Sequence, residues 1–167
     1  DLSNHGIVDN VIYHNASVIL ANSEYVKTTF SRINSNLAKI DVIYNPLDLK
    51  FYREFKNITN EKKKIIAVIG AITEVKNQME VLKAFSLINN ENIFLRFIGE
   101  PRSTDKDRLY NDELMSFIKK HNLENRIEFS GFVSDVRTQL QDVDLVCVPS
   151  DREPLGRVIF ETQLFNI

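Results

Sequence analysis

Residues 65–99 read IIAVIGAITEVKNQMEVLKAFSLINNENIFLRFIG. Two short apolar runs, 65–69 and 93–98, each close on a glycine, Gly70 and Gly99. Between them Met79, Leu82, Phe85 and Leu87 recur at mostly helical spacing over residues 77 to about 88. A brief apolar run bounded by glycine fits a strand buried on both faces, and apolar positions three and four apart form one face of a helix. The stretch is therefore strand, helix, strand, which calls for parallel strands joined by a right-handed crossover.

The same alternation continues downstream. Residues 109 to about 120 form a second helix with Leu114, Phe117 and Ile118 on one face, and RIEFSG at 126–131 is a third strand ending near Gly131. Ser134 is placed to cap a short helix containing Val136 and Leu140, DLVCV at 144–148 is a fourth strand, and the apolar spacing turns helical again after Gly156. Strand and helix alternate throughout, so the fold class is α/β, a Rossmann-like parallel sheet with helices on both faces. Upstream, VIYHNASVILANS ends an apolar segment, Ser23 caps a helix running to about Arg32, and KIDVIYNPLD is a short strand closed by Asn45-Pro46. Polar residues 48–60 suit a linker or hinge, which divides the chain into 1–47 and 48–167.

At 167 residues the chain can bury one well-formed core and is short for two. With 21 Lys and Arg against 23 Asp and Glu the net charge is −2, so no broad basic field exists to attract nucleic acid. The single cysteine, Cys147, lies in an apolar run and allows no disulfide framework, consistent with a reducing, cytoplasmic compartment. No apolar run approaches the ~20 residues that span a bilayer, and no secretory signal is visible. Asn15-Ala-Ser17 and Asn57-Ile-Thr59 are then chance matches to glycosylation sequons. Asp1 in place of Met, and an end at Ile167 inside a helical pattern, read as a piece of something longer.

Three strand ends on one sheet edge carry glycine, which lets the backbone turn sharply and a ligand approach closely. Neither G-x-G-x-x-G nor G-x-x-x-x-G-K-[ST] occurs, so the common dinucleotide and ATP fingerprints are missing. The edge carries instead PSDREPLGRVIFETQLFNI at 149–167, in which Glu153 and Glu161 stand eight apart across the change from strand to helix. Helix N-termini at this edge favour anions, whereas carboxylates beside a phosphate find their partners in hydroxyls. Phosphate plus sugar hydroxyls describes a nucleotide sugar. The plainer reading of two such glutamates is a solvated helix entry favoured by the dipole.

The Glu-x7-Glu spacing opening with EPLG, after a D-x-x-x-x-PS strand end, resembles the donor-site signature of the retaining glycosyltransferases of family 4, which have the GT-B architecture. By that resemblance residues 48–167 are the C-terminal, nucleotide-sugar-binding domain, and residues 1–47 are the end of the N-terminal, acceptor-side domain and the hinge. Glu153 takes the catalytic position, reaching hydroxyls of the transferred sugar, and Glu161 holds the nucleotide ribose. Of the amides near sugar and phosphates only Leu155 and Gly156 can donate, because Pro154 has no N–H. In the loop GAITEVKNQ, after Gly70, the resemblance implies an Arg and a Lys on the donor pyrophosphate. Lys76 matches the Lys, but Ala71 stands where the Arg is expected, so Arg102, Arg152 or Arg157 must supply that charge or the site is altered. FIGEPR, with Gly99, and FSGFVSDV, with Phe132 and Val133 flanking the base, are similar to the family's later binding loops.

The activity so implied is transfer of a hexose from a nucleoside-diphosphate sugar to an acceptor hydroxyl with retained configuration, as in polysaccharide biosynthesis. No cofactor is required beyond the donor substrate. The carbohydrate or lipid-linked acceptor would bind the other domain, with possible peripheral membrane contact at the inner face. Two Asp-x-Asp triplets, Asp105-Lys106-Asp107 and Asp142-Val143-Asp144, are weak metal candidates, since hard divalent ions need several converging oxygens and no supporting cluster accompanies them. Two other classes fit the same residues: a GT-B-like sugar-nucleotide epimerase or phosphorylase, and a non-catalytic domain that supports a partner enzyme.

Overall fold

A computed structural model describes residues 13, 15–33, 39–47 and 62–167. The chain divides into two compact units, Asp1–Leu47 with Glu153–Gly156, and Asp48–Arg152 with Arg157–Ile167. The polar segment read as a linker, 48–60, lies outside the described residues.

In the first unit β1 (Val18–Ala21) and β2 (Lys39–Val42) pair in parallel, with α1 (Glu24–Ile33) between them. Ser23 caps α1 as the sequence predicts: its hydroxyl oxygen accepts from the Val26 amide at 3.2 Å, and Glu24 occupies the favourable first turn. Val18 pairs with Lys39 and Ala21 with Val42, so the short ladder spans both strands.

The second unit contains β3 (Lys64–Ile69), α2 (Gln78–Ser86), β4 (Ile93–Ile98), α3 (Asp105–Lys120), β5 (Ile127–Gly131), α4 (Arg137–Leu140), β6 (Leu145–Cys147) and α5 (Arg157–Gln163). The sheet order is β5-β4-β3-β6, and every pair is parallel. Side-chain alternation explains why both faces are covered. On β3, Ile66 and Val68 face one cluster with Leu82, Phe85, Tyr110, Leu114 and Ile118 from α2 and α3. Ile65, Ala67 and Ile69 face the other, with Leu140, Val143 and Phe165. A strand that alternates between two apolar layers reads as one continuous hydrophobic run, which is the pattern of 65–69. Burial of Cys147 against the first cluster pushes its thiol pKa up, so it behaves as a small hydrophobe.

Two local expectations need correction. Helix α3 begins at Asp105, four residues before the first apolar position of the predicted helix, because Thr104 starts it. The Thr104 hydroxyl accepts from the Asp107 amide at 3.2 Å and donates to the Asp107 carboxylate at 2.7 Å, a reciprocal cap that needs no apolar residue. Ser134 does not cap α4, whose flanking residue is Val136 with no side-chain cap. Asp135 does the local work instead, accepting from the Arg137 amide at 3.1 Å and pairing with its guanidinium, which holds the Asp135 carboxyl below the usual range.

Candidate functional site

The carboxyl ends of β3, β4 and β5 surround a cavity of about 410 Å³, within the range of roughly 300–1,000 Å³ usual for small-molecule sites. Its walls include Gly70 and Ala71 after β3, Gly99 to Ser103 after β4, and Phe132, Val133 and Val136 after β5. Gly70 and Gly99 adopt φ of 136° and 143°, which L side chains rarely reach, and the missing Cβ of Gly99 lets the two strand ends approach closely. Phe132 is 73% exposed and therefore belongs to the cavity rim rather than to the core. Val133 is half-buried and packs on the cluster around Ile98.

Lys76 ends a single 3₁₀ turn, Glu74–Lys76, and lays its methylenes over Gly70. Its Cε lies 3.5 Å, and its Cδ 3.6 Å, from where a Cβ on Gly70 would stand, so a side chain there would touch the lysine. The turn is tied down from several directions. The Gln78 amide nitrogen donates to the Ala71 carbonyl at 2.9 Å, and Lys106 Nζ lies 2.6 Å from Glu74. Beyond β6, the Asp151 amide donates to the Val75 carbonyl at 3.1 Å, and its carboxylate accepts from Asn77 at 3.2 Å. Asn77 holds φ 56°, a left-handed conformation that asparagine tolerates, and so passes the chain from the turn into α2. At the head of α2, the Tyr110 hydroxyl accepts from the Met79 amide at 2.9 Å. Burial raises the Tyr110 pKa, keeping the phenol neutral.

Glu161 lies in the second turn of α5, where Arg157 NH2 reaches its Oε1 at 3.0 Å. A carboxylate has about four acceptor positions, so this pairing orients the group and leaves Oε2 as an acceptor. Glu153 and Leu155 are half-buried, and Gly156 is buried with φ 68°, a left-handed position suited to glycine immediately before α5.

Five of the residues singled out in the sequence, Gly70, Ala71, Gly99, Phe132 and Val133, thus share one cavity, with Lys76 packed on its Gly70 wall. Glu161 stands on α5 of the same unit, while Glu153, Leu155 and Gly156 belong to the other. Of the three arginines considered for the charge missing at Ala71, Arg102 lines the cavity and Arg157 is engaged by Glu161. Sequence reasoning missed Gln78 and Asp151 as supports of the Lys76 turn. Gln78 follows the lysine by two residues, but a fully buried glutamine gives no signal distinct from a surface one.

The Asp-x-Asp carboxylates have structural partners. Asp107 belongs to the cap of α3, and Asp105 pairs with Arg108 at 3.6 Å. Asp142 binds Arg96 at 2.6 Å. Asp144 joins Lys64 at 2.8 Å and accepts from the Ile65 amide at 2.8 Å, at the strand edge opposite the cavity. Among the described residues no group of three or more His, Cys, Asp or Glu could hold a metal ion, and no helix is long and apolar enough to cross a membrane.

Residues 51–167 match the family described as glycosyl transferases group 1. Over 156 residues the chain is 23% identical to the N-acetylgalactosamine-N,N'-diacetylbacillosaminyl-diphospho-undecaprenol 4-alpha-N-acetylgalactosaminyltransferase of Campylobacter jejuni, covering 92% of this chain and 40% of that protein. Anabaena HepE, solved in complex with UDP and glucose, superposes with a TM-score of 0.79 at 25% identity, over 93% of this chain and 44% of that one. The sucrose-phosphate synthase of Thermosynechococcus elongatus shares the fold, with a TM-score of 0.77 at 20% identity over 93% of this chain and 40% of the other. The chain therefore spans 40% to 44% of the length of these relatives. The structural neighbours are GT-B glycosyltransferases, and with its family match covering most of the sequence this chain belongs to the glycosyl transferases group 1 family.

Proposed function

We propose that the chain is the nucleotide-sugar-binding part of a retaining glycosyltransferase of family 4, which moves a hexose from a uridine-diphosphate sugar to an acceptor hydroxyl. The observation that carries this reading is the cavity at the carboxyl edge of the sheet, walled by Gly70 and Gly99 and flanked by the Lys76 ammonium arm. Open parallel sheets bind ligands at that edge. The complex of HepE with UDP and glucose supports uridine as the base. The undecaprenol-linked substrate named for the Campylobacter relative supports a lipid-linked saccharide as acceptor, bound by the preceding domain to which residues 1–47 would belong.

In this reading Phe132 and Val133 flank the base, and Glu161 Oε2 accepts from the ribose hydroxyls. Glu153 orients the transferred sugar, with the Leu155 and Gly156 amides beside it. A departing diphosphate gains negative charge as the sugar–phosphate bond breaks, and Lys76, fixed by its anchored turn, stabilises that charge without having to reorganise. Titration calorimetry with UDP, GDP, ADP and UDP-glucose tests the donor site. Uridine nucleotides should bind, and absence of heat with every nucleotide would refute the assignment. In the enzyme with both domains, Glu153→Ala should abolish transfer while UDP binding persists.

A further inference from the structure

We propose that Arg102 is the second diphosphate-binding cation of this site, serving the space left open by the methyl group of Ala71. The inference rests on the donor-site reading above and adds a specific ligand contact to it.

The backbone places Arg102 on that loop. Pairing between β3 and β4 outlasts the strands: the Gly70 amide donates to the Ile98 carbonyl at 2.9 Å, and the Ile72 amide donates to the Glu100 carbonyl at 3.0 Å. Ile72 and Pro101 then form a further parallel bridge. Residues 70–72 and 99–101 therefore run side by side past the strand ends, and Arg102 is the first residue beyond the last bridge. The backbone of Arg102 is thereby held next to the segment that carries Ala71 and leads to Lys76, which puts its guanidinium within reach of the space beside Ala71.

The charges point the same way. Arg102 and Glu100 are the two ionisable residues of the cavity wall, and both are exposed. Other cations of this unit are engaged: Arg157 by Glu161, Lys106 by Glu74, and Arg137 by Asp135. Arg102 forms no ion pair with any described residue. Glu100 on the same wall would repel a diphosphate, so an anion bound here needs a cation on this loop to offset it. A guanidinium presents a planar fork of donors that matches phosphate oxygens in bidentate fashion, which an ammonium does not. Lys76 and Arg102 would then grip the diphosphate from the β3 and β4 sides, a division of labour that tolerates alanine at 71.

The test measures UDP and uridine binding to four forms of the chain: unaltered, Arg102→Gln, Arg102→Lys, and Arg102→Gln with Ala71→Arg. Arg102→Gln should weaken UDP at least about tenfold while leaving uridine, which has no phosphate, unchanged. Arg102→Lys should fall between, and Ala71→Arg should recover most of the loss. Because Arg102 is exposed, the urea midpoint should not move. Equal UDP affinity in Arg102→Gln and the unaltered chain overturns the proposal, as does an equal loss for UDP and uridine. If the unaltered chain binds no UDP, the reading of a uridine-diphosphate donor itself fails, a result distinct from a site that binds UDP without using Arg102.

Discussion

A Cβ built on Gly99 would stand 2.1 Å from the carbonyl oxygen of Gly70, with the Gly70 carbonyl carbon at 2.7 Å. Real Cβ atoms do not come so close to backbone, and the obstructing atoms cannot rotate away as a flexible side chain would. Gly99→Ala must therefore separate the ends of β3 and β4, where the Gly70 amide also bonds to Ile98. With its φ of 143° added, we expect a loss of about 2–4 kcal/mol. Gly131 is the control. It has φ 68° and nothing within 4 Å of a built Cβ, so Gly131→Ala should cost only about 1 kcal/mol from the left-handed backbone. Urea denaturation of both variants checks the contrast, and similar losses would show that the close approach is not the cause.

Arg96 is 8% exposed within β4, where a strand of this sheet would ordinarily carry an apolar side chain. Its guanidinium is satisfied by Asp142 at 2.6 and 3.1 Å, Glu128 at 3.0 Å and the Gln139 carbonyl at 2.9 Å. The hydrogen bond from Arg96 holds the Asp142 carboxyl below its usual range, with Lys63 adding a smaller effect in the same direction. A lowered folded pKa means that Asp142 contributes stability above the unfolded value of about 3.9, and that this is lost as the pH falls through the folded value. The urea midpoint should therefore drop below about pH 4 more steeply in the unaltered chain than in Asp142→Asn. Parallel pH profiles would sink the idea. Arg96→Ala leaves Asp142 and Glu128 half exposed and therefore solvated, at 44% and 53%, so it should cost only about 1–2 kcal/mol at neutral pH, mostly from the lost hydrogen bonds.

How far the sequence could be read depended on the range of the forces involved. The alternation of strands and helices was legible because β3, β4 and β6 are mainly apolar local runs, and Gly70, Gly99 and Gly131 mark three strand ends on one edge. The start of α3 was hidden because its first turn is wholly polar, though Thr104-x-x-Asp107 was present as a capping signal. The partners of Asp142 and Asp144 were out of reach. Arg96 lies 46 residues from Asp142, and Lys64 lies 80 from Asp144, so nothing local distinguishes these carboxylates from metal ligands. The positions of Ala71, Phe132 and Val133 around one cavity followed from the strand ends, but the anchoring of the Lys76 turn by Asp151 depends on β6 lying beside β3.

Phe132 offers a ring at the cavity rim that the core does not need. At 73% exposed it contributes little to folding, so Phe132→Ala should change stability by less than about 0.5 kcal/mol. If the ring stacks on the base, the same change should weaken UDP by about 1–3 kcal/mol, with Phe132→Tyr close to the unaltered chain. Calorimetric titration beside a thermal melt separates the two effects. Unchanged UDP affinity would move the base elsewhere.

Gln78 presents an unusual combination. It is 1% exposed, its amide nitrogen holds the Ala71 carbonyl at 2.9 Å, and its Oε1 is buried with no hydrogen-bond partner. A buried acceptor left unpaired costs about 1–3 kcal/mol, which offsets the roughly 0.5–1.5 kcal/mol that the bond to Ala71 contributes. Gln78→Met keeps the length of the side chain while removing both the bond and the orphaned oxygen, so the net change in folding stability should stay within about 1 kcal/mol. The cost should appear in binding instead. With its carbonyl released, the Ala71 segment that leads into the Lys76 turn loses one of its fixed points, and UDP affinity should fall several-fold while uridine affinity holds. A variant destabilised by more than about 2 kcal/mol with UDP affinity intact would make Gln78 a core residue rather than a positioning one.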